Sequence, residues 1–197
     1  MSEIGQSISA RYGELELAGL LDQTASTQPA PGGGSVAAIV VALAAALVEK
    51  SANLSEDWPD AAGVAAQART LRARALPLAE RDATAYGQVL EALRAKAGDA
   101  ALARALSEAA DVPLAIAQAA VDVAELAREA ADRGNPNLRG DVVAAAALAA
   151  GAATGAAYLV EINLATTPDD ERVQSAKELI EDARRVTRRA LETSAES

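Results

Sequence analysis

The chain contains no histidine and no cysteine among its 197 residues. That removes thiol nucleophiles, disulfides, serine–histidine relays and the usual zinc ligands. Catalysis here has to rest on Asp, Glu, Lys, Arg, Tyr, Ser, backbone amides or water. Phenylalanine is absent too, and three tyrosines and one tryptophan are the whole aromatic complement. A β-sandwich needs aromatic and branched residues on its pleats, so an all-α fold is expected. Positive charge is also short: the net charge of −10 leaves no basic face to neutralise phosphates, which argues against nucleic acid as a partner. The first residues, Met1-Ser2-Glu3-Ile4, carry neither a basic region nor an apolar export core, and a cytoplasmic location is expected.

What the chain has in abundance is alanine, followed by leucine and valine. Alanine-rich helices approach one another closely, and the length suits a single domain spanning residues 1–197. Val142 to Val160 carries no charge and includes Gly151 and Gly155. Its Ala/Gly content, internal Thr154 and lack of an aromatic belt favour a buried bundle helix over a membrane span.

Pro29-Ala30-Pro31-Gly32-Gly33-Gly34-Ser35 is the most distinctive stretch. The prolines keep the approach extended, and the glycines permit unusual backbone angles or the close approach of another group. Ser35 is positioned to cap the helix that follows, and a helix N-terminus favours an anion. A sharp turn into a crowded core is the competing structural reading. That helix, from Ser35 to about Asn53, is apolar nearly all round as far as Val48 and should be central.

Before this loop, Glu14 to about Asp22 reads as a short helix with Leu15, Leu17, Leu20 and Leu21 on its buried side. Beyond Asn53, Trp58-Pro59-Asp60 opens a long helix with Pro59 in its first turn. Leu71, Ala75, Leu78, Asp82, Tyr86, Val89 and Leu93 form a stripe along it, and Asp82 is the odd member. Pro77 is expected to kink or interrupt this helix, and another from Gly98-Asp99 is expected to break before Pro113. The next helix stops at Gly134. A polar loop, Gly134-Asn135-Pro136-Asn137-Leu138-Arg139-Gly140-Asp141, leads to the second buried helix, from Asp141 to about Leu164. Thr167-Pro168-Asp169-Asp170 offers the last helix a cap and a first-turn proline. Its Arg184, Arg185, Arg188 and Arg189 read as a solvated, salt-bridged face.

Taken together these pieces resemble the cyclodeaminase/cyclohydrolase family of one-carbon folate enzymes. The resemblance is carried by Pro31-Gly32-Gly33-Gly34-Ser35-Val36-Ala37-Ala38, Ala52-Asn53-Leu54-Ser55, Asp82-Ala83 with Ala85-Tyr86, Gly134-Asn135-Pro136-Asn137, Asp141 and Ile162-Asn163-Leu164, in the family's order. It implies an all-helical bundle with two buried central helices, in orthogonal or up-down packing, that forms a homodimer. It also implies a folate crevice near the glycine loop. The expected reaction is hydrolysis of 5,10-methenyltetrahydrofolate to 10-formyltetrahydrofolate, with no metal and no cofactor. Cyclodeamination of formiminotetrahydrofolate is the alternative. The departures Arg139-Gly140 ahead of Asp141, and Glu161 ahead of Ile162, motivate a third reading as a non-catalytic folate-binding or scaffold protein.

Within that reading Asp141 is the first candidate for base or electrostatic stabiliser and Asp82 the second. The competing role of Asp141 is that of a helix-start acid, and the two roles are compatible. Gly32, Gly33, Gly34 and Ser35, with Asn135, Asn137 and Arg139, are the expected substrate-binding residues. For the asparagines, turn chemistry is the alternative. Tyr86, Tyr158 and Trp58 are the expected ring-stacking candidates.

Overall fold

In the computed structural model the described residues are 12, 15–96 and 98–195. They form six α-helices and no strand: α1 (Leu17–Ala25), α2 (Gly33–Asn53), α3 (Ala61–Arg94), α4 (Asp99–Arg133), α5 (Arg139–Asn163) and α6 (Glu171–Ala195). A short 3-10 turn, Pro136–Leu138, leads into α5. Met1 to Ile4, and Glu14 as the expected start of the first helix, lie outside the described residues.

Helix α2 packs against α3, α4 and α5, α5 packs against α2, α4 and α6, and α4 packs against all four of α2, α3, α5 and α6, so the two apolar helices expected at the centre share the interior with α4. They run antiparallel: Gly33 and Gly34 at the start of α2 share a hollow with Ile162 and Asn163 at the end of α5. At the opposite end Lys50 on α2 pairs with Asp141 on α5. The core is largely alanine, with Val41, Val48, Ile116, Val123, Val142, Val160, Leu164 and Val186 as its largest fully buried aliphatic residues. Each methyl contributes little apolar area, and small side chains compensate by letting helix axes approach and fill space densely. By length and composition both α2 and α5 could cross a membrane. About half of each apolar window (56% and 44%) is instead buried inside this bundle.

Several local expectations are corrected. Helix α1 has no fully buried residue, and Leu17 and Leu21 stand 70% and 60% exposed, with only Leu15 and Leu20 packed against the core. Pro59 lies ahead of α3 rather than in its first turn, and Asp60 occupies the cap position. Pro77 does not interrupt α3. Likewise α4 runs unbroken through Pro113. A proline costs a helix interior about 3 kcal/mol, but Pro113 sits in the core with Val112 and Ile116, where tertiary burial outweighs that local loss. Helix α6 is capped by Asp170, whose carboxylate accepts the Arg172 backbone N–H at 3.0 Å, not by Thr167. The arginine face on α6 is as expected where pairs are seen: Arg184 bonds Glu181 and Arg185 bonds Asp182.

Candidate active site

The start of α2 meets α3 through one side chain. Gly32 is the N-cap position, Gly33 begins the helix, and Ser35 lies within the first turn. Ser35 is therefore not the cap. It is fully buried, and its hydroxyl oxygen lies 2.8 Å from the Ala79 carbonyl oxygen and 3.0 Å from Asp82 Oδ2. The backbone N–H of Ser35 also donates to the Asp82 carboxyl. The first turn of α2, expected to hold a ligand anion, already holds this carboxyl group. Glycine is required here for close approach and not for unusual backbone angles. A Cβ at Gly34 would overlap the Asp82 carboxyl, whereas at Gly33 it would come no nearer than 4.0 Å to Leu159. Among the described glycines only Gly98 has a positive φ.

Asp82 opens on a hollow of about 360 Å³, within the size range of small-molecule sites. Gly32, Gly33, Gly34, Tyr86, Leu159 and Asn163 are among the residues that line it. Among the described residues Asp82 is the one carboxyl there, and no cation lines it. Burial pushes the Asp82 carboxyl above the usual carboxylate range; a Ser35 hydroxyl that donates to it, and the Ser35 backbone, pull the other way. Asn163 donates through Nδ2 to the Ala109 carbonyl at 3.1 Å, which fixes its amide on the wall. Tyr86, 45% exposed, also lines the hollow.

The other candidates lie elsewhere in the subunit. Asn135 and Asn137 line a second hollow of about 630 Å³ with Ser55, Trp58, Arg133 and Gly134. Asn135 is occupied by turn chemistry. Its Oδ1 accepts the Asn137 N–H at 3.0 Å, its Nδ2 donates to the Leu54 carbonyl at 3.0 Å, and its own N–H reaches Ser55 Oγ at 2.8 Å. Arg139 begins α5, with a buried Nε that has no partner among the described residues. Asp141 lies in the first turn of α5 and accepts from Lys50 Nζ at 2.7 Å. The structure thus brings Gly32, Gly33, Gly34, Ser35 and Asp82 together, and places Asn135, Asn137, Arg139 and Asp141 at the other end of the α2–α5 pair. Of the ring candidates Trp58 is buried, and Tyr158 is 62% exposed but does not line the Asp82 hollow.

Sequence reasoning missed Tyr12. Its phenol is buried and held above the ordinary tyrosine range by that burial first, then by Asp82 and Glu80. No helical stripe includes Tyr12, so no periodic signal pointed to it. Asn163 was noticed only as part of Ile162-Asn163-Leu164, and its place in the wall is a product of the α4–α5 contact. Among the described residues no group of acids could hold a metal ion.

The described residues thus form an all-helical bundle with one half-buried carboxyl facing a hollow of small-molecule size. The family described as formiminotransferase-cyclodeaminase matches residues 16–182. The chain belongs to this family. It is 32% identical over 192 residues to a methenyltetrahydrofolate cyclohydrolase of Methylorubrum extorquens, covering 88% of this chain and 92% of that one. A crystal structure of formiminotetrahydrofolate cyclodeaminase from Thermotoga maritima superposes with a TM-score of 0.84 at 28% identity, covering 93% of this chain and 97% of that one.

Proposed function

We propose that this protein is an enzyme of folate one-carbon metabolism that hydrolyses 5,10-methenyltetrahydrofolate to 10-formyltetrahydrofolate. The observation that carries the reading is the Asp82 carboxyl, the one carboxyl among the described residues that line its hollow, raised by burial above the usual carboxylate range. The reaction needs an attacking water, a place for the proton at the ring nitrogen that leaves, and a surface for the pterin. Asp82 serves the nitrogen, and Tyr86 and Asn163 offer a ring face and an amide. No metal or cofactor takes part. Asp82 replaces Asp141 as the first candidate.

Cyclodeamination of formiminotetrahydrofolate is the second reading, favoured by the close superposition on the Thermotoga maritima cyclodeaminase. It asks the same proton transfer of Asp82, with ammonia as the leaving group.

The protein acts as a homodimer in this proposal. Leu43 on α2 and Leu148, Tyr158 and Ile162 on α5 stand 42–62% exposed. Two copies meeting antiparallel through this face set the Lys50–Asp141 end of one against the Asp82 end of the other. Asp141 and Arg139 then border the partner's hollow and supply charge that it lacks. A cytoplasmic location accords with a soluble folate substrate.

The deciding experiment mixes purified protein with methenyltetrahydrofolate and follows loss of its near-ultraviolet absorbance against the spontaneous rate. Turnover is expected. No acceleration with this substrate, combined with ammonia release from formiminotetrahydrofolate, selects the second reading.

A further inference from the structure

Ser35 has one hydroxyl hydrogen and two oxygen neighbours. The nearer, at 2.8 Å, is the Ala79 carbonyl, which can only accept. The farther, at 3.0 Å, is Asp82 Oδ2. One hydroxyl hydrogen serves both contacts only as a shared and weaker three-centre bond, whereas a protonated carboxyl brings a hydrogen of its own. An ionised Asp82 would leave two acceptors sharing that single hydrogen at the buried serine. A neutral Asp82 completes a chain: Oδ2–H donates to Ser35 Oγ, and Ser35 Oγ–H donates to the Ala79 carbonyl.

We propose that Ser35 is a positioning residue that holds Asp82 as a neutral acid in the resting protein, its proton on Oδ2. The claim rests on the proposed reaction for its use, but the proton can be observed without turnover. The surroundings agree. Among the described residues the Tyr12 phenol from the N-terminal segment interacts with Asp82 and with Glu80, and Tyr86 from the same helix as Asp82 lines the hollow. The lining residues from α2, α4 and α5 are Gly33, Gly34, Ala109, Leu159, Ile162 and Asn163, none of which carries a charge. Among the described residues nothing around the hollow favours an anion except hydrogen bonds at the first turn of α2, and burial opposes them.

The assignment fixes the order of proton steps. Water adds to the cationic amidinium carbon and releases one proton to solvent, giving a neutral carbinol. As the carbon–nitrogen bond breaks, its electron pair goes to the ring nitrogen, and the Asp82 carboxyl, released from Ser35, gives that nitrogen its proton. The carbinol hydroxyl loses its proton to the Asp82 carboxylate as the formyl C=O forms. Asp82 ends as it began. It acts first as acid and then as base, and is not the base that activates water.

The test is a carboxyl carbon-13 NMR titration of aspartate-labelled protein, with Asp82 identified by the resonance lost in Asp82→Asn. In the wild type the Asp82 midpoint should lie above the ordinary aspartate range. In Ser35→Ala the neutral acid loses its acceptor, so the midpoint should fall. The opposite assignment, serine donating to a carboxylate, requires the midpoint to rise on the same substitution. A rise overturns the proposal, as does a wild-type midpoint within or below the ordinary range. The latter needs no variant and decides the matter even if Ser35→Ala folds poorly. Turnover should lose activity as pH rises through the wild-type midpoint, and this limb should move down in Ser35→Ala. An active enzyme without that limb overturns the reaction assigned to Asp82 and Ser35's part in it, while the NMR midpoint still reports where the proton rests.

Discussion

The Asp82 carboxyl occupies the space that any side chain at position 34 would need. A helix from one part of the chain thereby delivers its acid to the open end of another, and the glycine loop is shaped around that acid.

Gly34→Ala should destabilise the protein by about 1–3 kcal/mol, the usual scale for forcing atoms into a filled space. Gly33→Ala, where a Cβ meets nothing closer than 4.0 Å, should stay within about 1 kcal/mol of wild type. Urea unfolding of both variants checks this. Combining Gly34→Ala with Asp82→Ala should recover part of the loss, because the two groups compete for one volume. Equal melting of the single variants would sink the account of the loop.

Asp82→Asn should lower turnover by roughly a hundredfold or more, the scale of a lost acid–base group. Its stability should depart from wild type in a definite sense with pH. Burial raises the folded pKa of Asp82 above its unfolded value, so the folded state prefers the proton. The contribution is present below the ordinary aspartate range and is lost as pH rises through the raised value. The amide of the variant cannot ionise, so across that window wild type should lose stability relative to it. Parallel stability curves for the two proteins from acid to neutral pH would contradict the burial argument.

Asp141→Asn removes an exposed pair with Lys50 and keeps a good first-turn residue. Stability should change by no more than about 1 kcal/mol. Turnover should fall, though less than in Asp82→Asn, if the second copy brings this end to the site. Leu43→Glu and Leu148→Glu test that copy directly. Light scattering should find a dimer for wild type and monomer for each variant, with helix content retained and turnover reduced. A fully active monomer would rule out a shared site.

Arg172 ties α6 to α4. It bonds both oxygens of Asp170, at 2.9 and 2.7 Å, and reaches the Ser107 carbonyl, Ser107 Oγ and Asp111 at 2.8, 2.8 and 2.7 Å. Arg172→Ala should cost about 2 kcal/mol, the order for hydrogen bonds to a charged group, and Arg172→Lys should restore only part because it lacks the planar fork. The Arg172 bonds hold the Asp170 carboxyl down at about 2. Its contribution should therefore persist above the ordinary aspartate value and disappear as pH falls through about 2. Thermal melts of these variants at neutral and low pH give the comparison.

Residue composition and periodicity were enough to determine an all-helical chain, the apolar character of α2 and α5, and the two unusual loops. These are local properties: an alanine-rich apolar stretch has few other ways to satisfy its backbone and bury its methyls. Periodicity failed where tertiary packing outweighed a local rule, as at Pro113, which is buried inside an unbroken helix although its lost hydrogen bond predicts a break. It failed again at Leu17 and Leu21, which stay exposed because no described element packs over that side of α1. The site was legible only as separate pieces. Asp82 stood out as a carboxyl on an apolar stripe, and Ser35 as a cap, but nothing local says that residues 47 positions apart share a hydrogen bond. That pairing depends on how closely α3 docks on α2, which alanine contacts spread over both helices decide. The same docking turns an apparent anion site into the seat of the protein's own acid, while the antiparallel packing of α5 on α2 sends Asp141 to the far end of the bundle.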